Sequence, residues 1–260
     1  MNGQEQVILS VQDVHKHFGG LKAVNGVSFQ VQRGKITGLI GPNGAGKTTT
    51  FNIISGFYRP DAGQVLFNGA RIDGLPPHRV FHHGLCRTFQ ISRELKLMTV
   101  MENLLLVPAG QKGENLFASW FLPGQVRAQE RTLRAKALEI LEFVGLAHLQ
   151  NEYAAGLSGG QKRLLELART MMADPQMVLL DEPGAGVNPT LMRRIAGYIR
   201  SLATDRGITV LLIEHDMDLV MNVCDWIVVM SSGQKLAEGT PDQVRQNPAV
   251  LEAYLGGQNR

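Results

Sequence analysis

A chain of 260 residues, 44% of them apolar, is long enough to bury a substantial core, which excludes a disordered polypeptide. Its 26 basic and 23 acidic residues leave a formal charge of +3 and are spread along the sequence, so there is no polyanion-binding tail and nothing supports nucleic acid as a partner. Two cysteines, Cys86 and Cys224, stand among apolar neighbours without CxxC spacing, which argues against a zinc module or disulfide framework and for a reducing compartment, the cytosol.

The opening MNGQEQVILSV lacks the basic and then apolar pattern of a secretory signal. From there, short apolar runs bounded by turn residues alternate with helical periodicity, the pattern of parallel strands joined by crossover helices, and an α/β fold is expected. Strands are predicted at 7–11 (VILSV), 36–40 (ITGLI), 177–181 (MVLLD), 208–214 (ITVLLIE) and 226–230 (WIVVM). The middle ones are apolar throughout, as strands covered on both faces should be. Apolar runs such as ITVLLI fall far short of a membrane span, so if this protein serves a membrane, another chain crosses it. Between residues 91 and 173 the alternation breaks. TVMENLLLV is followed by the polar and aromatic GQKGENLFASWFLPGQ and then by VRAQERTLRAKALEILEFVG at helical spacing, which predicts a helical lobe inserted into a core of residues 1–90 and 174–239. The tail, 240–260, reads as two short helices, each with a proline near its start.

GPNGAGKT at 41–48 satisfies GxxxxGK[ST] through Gly41, Gly46, Lys47 and Thr48, after a predicted strand and before a plausible helix, which is the context a phosphate loop requires. Glycines permit positive φ and close backbone approach, so the amides of Gly41, Pro42, Asn43, Gly44, Ala45 and Gly46 (proline excepted) can converge on phosphate oxygens. Lys47 is suited to neutralise the terminal phosphates and Thr48 to offer its hydroxyl to Mg²⁺, with Thr49 beside it. An ordinary glycine turn is the bland alternative. In MVLLDEP, Asp181 and Glu182 leave a buried strand at its carboxyl edge, where open α/β sheets bind ligands. Asp181 suits Mg²⁺ held through its water shell, and Glu182 suits a water attacking the γ phosphate. For the pair alone, an acidic turn before Pro183 is an equally fair reading.

The chain carries a second glycine turn, LSGGQ at Leu157 to Gln161, 20 residues before the MVLLDE strand. Together with the phosphate loop, Gln90 in RTFQ and His215 in LLIEHD, it resembles the ATP-binding subunit of ABC transporters over nearly the whole chain. The resemblance implies an α/β P-loop NTPase fold with a RecA-like core, an antiparallel β subdomain and an inserted helical subdomain. It implies ATP and Mg²⁺ as cofactors. It also implies a head-to-tail dimer, in which Ser158, Gly159, Gly160 and Gln161 grip the nucleotide held on the partner's phosphate loop; a helix starting near Ser158 suits that anion-binding task. Further roles implied are Gln90 sensing Mg²⁺ and the attacking water, His215 contacting the γ phosphate, and Phe18 stacking on adenine with Val24 lining the same face. Taken singly, each of these residues has a plainer reading as surface, loop or core. Many relatives carry Asp where this chain has Asn188, which can hydrogen-bond across a dimer but brings no charge. His82 and His83 lack the carboxylates or thiolates of a metal site and are read as surface histidines.

Within the family, GPNGAGKTTTFNIISGFYRPDAGQV, RTFQISRELKLMTVMENLLL, DEPGAGVNP and NPAVLEAYLG are most similar to the ATPases of bacterial branched-chain amino-acid importers. The partners this implies are two transmembrane permease subunits, a second ATP-binding subunit (a different chain, or a second copy as the alternative) and, indirectly, a substrate-binding protein. The implied location is peripheral, on the cytoplasmic face of the inner membrane. Importers of urea or short amides and the lipopolysaccharide exporter share this plan. ABC ATPases acting on nucleic acid usually carry a coiled-coil insertion, zinc modules or two cassettes, which are absent here. A plain P-loop kinase or GTPase would leave LSGGQ and His215 unexplained. The aromatic stretch at 115–124 is read either as a tolerated surface insertion or as a partner contact.

Overall fold

The computed structural model describes residues 6–88 and 94–255, which divide into two compact units, Met1–Arg87 with Gln176–Arg260 and Thr88–Pro175. The first unit opens with a long hairpin, β1 (Val7–Phe18) and β2 (Leu21–Gln32), followed by β3 (Ile36–Ile40) and α1 (Lys47–Ile54). Next come β4 (Ala62–Phe67), β5 (Ala70–Arg71), α2 (Pro77–His82) and β6 (Leu85–Arg87). The second unit contributes α3 (Val100–Leu105), α4 (Leu116–Phe121), α5 (Pro123–Phe143) and α6 (Gly159–Met172). The chain then returns to the first unit through β7 (Met177–Asp181), α7 (Pro189–Thr204), β8 (Thr209–Ile213), α8 (Met217–Val223), β9 (Trp226–Ser231) and β10 (Gln234–Gly239). It ends in α9 (Pro241–Arg245) and α10 (Pro248–Leu255), each with its proline in the first turn, where a missing N–H costs nothing.

Six strands form one sheet in the order β10-β9-β3-β8-β7-β6, parallel except for β10. β3, β7 and β8 are buried at every position, and each fully buried aliphatic side chain is worth about 1.5–3 kcal/mol. Because these strands run in parallel register, residues 41, 181 and 214 emerge at one edge of the sheet. A second sheet, antiparallel and ordered β2-β1-β4-β5, shares a core with the first: Val11, Val27 and Phe29 from one sheet, Leu39, Leu179 and Val228 from the other, and Phe51 and Ile54 from α1.

Several strands depart from the sequence expectation. β1 runs on to Phe18, and β2, β4, β5, β6 and β10 lie outside the predicted set. The second half of β1, VHKHF, is polar on its open side, β1 and β2 slip register at several points, and β6 is only three residues long. The second half of β1 and the short β6 follow neither strict alternation nor a long apolar run, whereas β2 alternates strictly over 27–32, with Val27, Phe29 and Val31 buried against open Ser28, Gln30 and Gln32.

The second unit is helical, and this meets the expectation of an inserted helical subdomain. Its core gathers Leu104 from α3, Ala137, Ile140 and Leu141 from α5, and Leu164, Leu165 and Ala168 from α6. Asn103, fully buried, donates to the carbonyls of Leu95, Met98 and Thr99 and accepts the Leu95 N–H, fastening the segment before α3. No described helix is long and apolar enough to cross a membrane.

Candidate active site

The loop between β3 and α1 takes backbone conformations that side chains resist. Gly41, Gly44 and Gly46 have φ of +149°, +79° and +97°. A Cβ on Gly41 would stand 2.1 Å from the Met230 carbonyl oxygen, and one on Gly46 2.4 Å from that of Ala23, so glycine is required at both positions. The loop delivers the chain into α1 with Gly46 at the N-cap and no side-chain cap, which leaves the first helical amides for something else to satisfy. Lys47 starts the helix and curls back, its Nζ donating to the carbonyls of Gly41 (2.7 Å) and Pro42 (3.0 Å). Burial lowers its pKa, with Glu182 and Asp181 acting in the opposite sense. Thr48 is exposed on the first turn, and Thr49 is half-buried beside it.

β7 brings the acidic pair to the same sheet edge. Asp181 is buried and ion-paired with Arg87 at 2.8 Å. Arg87 comes from β6, the strand next to β7, and also donates to Asn52 (2.6 Å) and Ser55 (3.0 Å), with its guanidinium beside the rings of Phe51 and Phe57. Glu182 stands at φ +50°, a left-handed conformation that costs a non-glycine residue about 1 kcal/mol or more. That turn directs its carboxylate to His215, whose Nε2 lies 3.0 Å from Glu182 Oε1. Lys47, Asp181, Glu182 and His215, scattered through the sequence, thus converge at one sheet edge. Arg87 was not singled out in the sequence; the signal available was a basic residue ending a short apolar run.

Phe18 ends β1 at the tip of the hairpin, 43% exposed, edge-on to Tyr58 at 5.3 Å and with Lys16 Nζ 5.8 Å from its ring centre. Val24, on the paired strand opposite Lys16, is fully buried in the core, so of the two only Phe18 presents an open face. Tyr58 is a neighbour that sequence reasoning missed. So is Tyr254 on α10: burial raises its phenol, and a hydrogen bond with the Gly41 backbone pulls the other way. Asn188 caps α7, its side-chain oxygen accepting the Leu191 N–H at 2.9 Å. Gln90 lies outside the described residues.

In the second unit, Ser158 is the N-cap of α6 and forms a capping box with Gln161. Ser158 Oγ accepts the Gln161 N–H, and Gln161 Oε1 accepts the Ser158 N–H at 2.8 Å. Gly159 and Gly160 are the first two helical residues, and a Cβ on Gly159 would meet nothing within 4 Å. α4 exposes Leu116, Phe117, Trp120 and Phe121, with the two phenylalanine rings stacked at 6.1 Å. Among the described residues no group of three or more His, Cys, Asp or Glu side chains is placed to hold a metal, and His82 and His83 are not part of one.

The uncapped start of α1, the glycine cradle and the buried cation of Lys47 fit the anionic end of a nucleoside triphosphate. The carboxylate of Asp181 and the hydroxyl of Thr48 are hard oxygen donors of the kind Mg²⁺ takes alongside water and phosphate, so these residues fit that ion as well.

Comparison with known proteins agrees with this arrangement. Residues 24–185 match the family model described as ABC transporter, and residues 234–258 the one described as branched-chain amino acid ATP-binding cassette transporter. A high-affinity branched-chain amino acid transport ATP-binding protein of Pseudomonas aeruginosa is 46% identical over 249 residues, covering 96% of this chain and 98% of that one. A protein of Escherichia coli K12 with the same description is 44% identical over 252 residues, at 96% and 98% coverage. Among solved structures, a nucleotide-free ATP-binding cassette from an ABC transporter superposes with a TM-score of 0.81 at 41% identity, covering 95% of this chain and 98% of that one. A cassette in its ADP conformation superposes with the same score at 40% identity, covering 96% and 99%.

Proposed function

The chain belongs to the ABC transporter family of ATP-binding subunits, and from that premise we propose that it is the motor of a branched-chain amino-acid importer. As a member of the family it binds ATP and hydrolyses it to ADP and phosphate. The observation that carries the reading of the site is the convergence of the 41–48 loop, Asp181, Glu182 and His215 at one edge of the parallel sheet.

In this reading the loop amides and Lys47 hold the β and γ phosphates, with Lys47 exchanging its two carbonyl partners for phosphate oxygens. The left-handed turn at Glu182 aims its carboxylate outward to orient and polarise the attacking water. His215, 3.0 Å away, donates from its ring to the γ phosphate and keeps Glu182 in place. Thr48, Asp181 and Gln90 would hold Mg²⁺, partly through water, and the ion would supply positive charge against that of the phosphates. Phe18 stacks on adenine. Ser158, Gly159, Gly160 and Gln161 act on the partner's nucleotide, so that two ATP molecules draw two ATP-binding subunits together and hydrolysis lets them part. The second subunit is a different chain of the same family, with a homodimer as the form taken in isolation. The pair docks on two permease subunits at the cytoplasmic face of the membrane, and a substrate-binding protein acts through the permeases. The cargo assignment is supported by the relatives named for branched-chain amino-acid transport along almost their whole length and by the match at 234–258.

The test is the variant Glu182→Gln. It is expected to bind ATP like the unaltered protein, to lose at least about 100-fold in turnover, and to sediment as a dimer with Mg·ATP, alone or with its partner chain. Hydrolysis near the normal rate refutes the role of Glu182, and a monomer under every condition refutes the two-subunit clamp.

A further inference from the structure

Beyond Ile213, at the end of β8, the chain continues into a buried carboxylate, Glu214, directly before His215. One of its oxygens, Oε1, accepts the backbone N–H of Gly184 at 2.7 Å. The other, Oε2, accepts the N–H of His215 at 2.9 Å and, at greater length, that of Asp216 at 3.4 Å. Gly184 lies two residues beyond Glu182. A single side chain therefore fastens the turn that carries Glu182 to the turn that carries His215, at the base of both. The fit is close, since a Cβ on Gly184 would stand 2.8 Å from Glu214 Oε1. A further tie runs through the backbone, where the Glu182 N–H donates to the Ile213 carbonyl at 2.9 Å.

A buried carboxylate is costly unless its oxygens are satisfied, and here backbone donors converge on both of them. The chemistry of the site calls for an acid of this length. Glutamine would turn an NH₂ toward one set of N–H donors, so one of the two turns would lose its acceptor. Aspartate, one methylene shorter, would not span both. A hydrophobic residue would leave buried amides unpaired, at about 1–3 kcal/mol each.

We propose that Glu214 is a positioning residue for ATP hydrolysis: by joining the two turns it fixes the 3.0 Å approach of His215 to Glu182, and with it the place where both meet the γ phosphate and its water. The proposal rests on the reading of Glu182 and His215 as the hydrolytic pair. Glu214 acts through the backbone on which they are mounted.

The experiment compares Glu214→Gln, Glu182→Gln, His215→Ala and the Glu214→Gln/His215→Ala double variant in the full chain, by steady-state ATPase kinetics and nucleotide binding. Glu214→Gln is expected to lower kcat about 10- to 100-fold, the range of a small misplacement of reacting groups. KM for ATP should stay within about 2-fold, because the 41–48 loop is untouched. In the double variant, Glu214→Gln should add little to the loss caused by His215→Ala, since the two act as a unit. A Glu214→Gln protein with unaltered kcat overturns the proposal, and so do losses that multiply in the double variant. If Glu214→Gln does not fold, Glu214→Asp, which keeps the charge but withdraws it, decides by the same two criteria. Normal turnover in Glu182→Gln or His215→Ala would instead overturn the underlying reading, a distinguishable result.

Discussion

The two glycine turns look alike in sequence and are built on opposite principles. In the first, glycine is a condition of folding: Gly41 and Gly46 adopt positive φ and press against the carbonyls of Met230 and Ala23, where no side chain fits. In the second, Gly159 and Gly160 are ordinary helical residues, and a Cβ on Gly159 would meet only open space. Helix formation gains nothing from glycine there and loses by it. What the second turn gains is a helix whose first two residues bring no side chains of their own, beside the capping box of Ser158 and Gln161. The first turn is glycine-rich for the sake of its own chain; in the proposed two-subunit clamp, the second is glycine-rich for the sake of the partner's nucleotide.

The largest effects come from breaking this contrast directly. Gly46→Ala is expected to lower stability by roughly 1–3 kcal/mol through its strained φ alone, with the clash at Ala23 in addition, and to abolish measurable ATP binding. Gly159→Ala is expected to leave stability unchanged or raise it by up to about 1 kcal/mol and to leave ATP binding to the single chain intact. It should nevertheless lower the ATPase rate of the assembled dimer by about tenfold or more. Thermal unfolding, equilibrium dialysis and ATPase assays on the same pair of variants check all of this. A Gly159→Ala protein as unstable as Gly46→Ala would erase the distinction.

A smaller effect sharpens it. Among the described residues of the second unit there are two capping boxes, one at Ser158 with Gln161 and the other at Thr99 with Glu102. Replacing either cap by alanine should cost about 1 kcal/mol in denaturant unfolding. If Ser158 also faces a partner's nucleotide, only Ser158→Ala should reduce dimer ATPase activity beyond what the loss of stability explains. Equal effects of the two variants on the ATPase rate would reduce Ser158 to a helix cap.

The parts of this molecule legible in the sequence were those fixed by local chemistry. β3, β7 and β8 are apolar because both faces are covered, and GxxxxGK[ST] and LSGGQ each fix a turn by themselves. The antiparallel sheet was mostly hidden, because the second half of β1 and the first half of β2 are largely polar or open and the β1–β2 register slips, although β2 alternates cleanly over 27–32. Within the site, Asp181 and Glu182 announced themselves by ending a buried strand. Arg87 and Glu214 did not, because their importance arises from pairings between β6 and β7 and between the turns at 184 and 215, which only topology brings together. Both do close apolar runs, LCR and ITVLLIE, but that signal alone names no partner. Cys86 and Cys224 are both buried, and burial pushes their thiols up to about 12.

The smallest effect concerns the cation that the first turn buries. Burial holds the Lys47 pKa below its ordinary value of 10.5, against the pull of Glu182 and Asp181. A triphosphate beside Lys47 favours the charged form and raises that pKa on binding. Between the lowered pKa of the free protein and the raised pKa of the complex, binding must therefore take up protons, and ATP affinity must fall as pH rises through this window. Well below the lowered pKa, Lys47 is protonated in both states and contributes no uptake. As pH rises through that value toward 10.5 the uptake should grow toward a fraction of one proton per ATP. Calorimetry in two buffers of different ionisation enthalpy measures this directly. Uptake that stays at zero all the way up to the ordinary lysine value of 10.5 would mean that the loop does not desolvate Lys47, and the account of the first turn as a cradle closed around its own buried cation would have to be withdrawn.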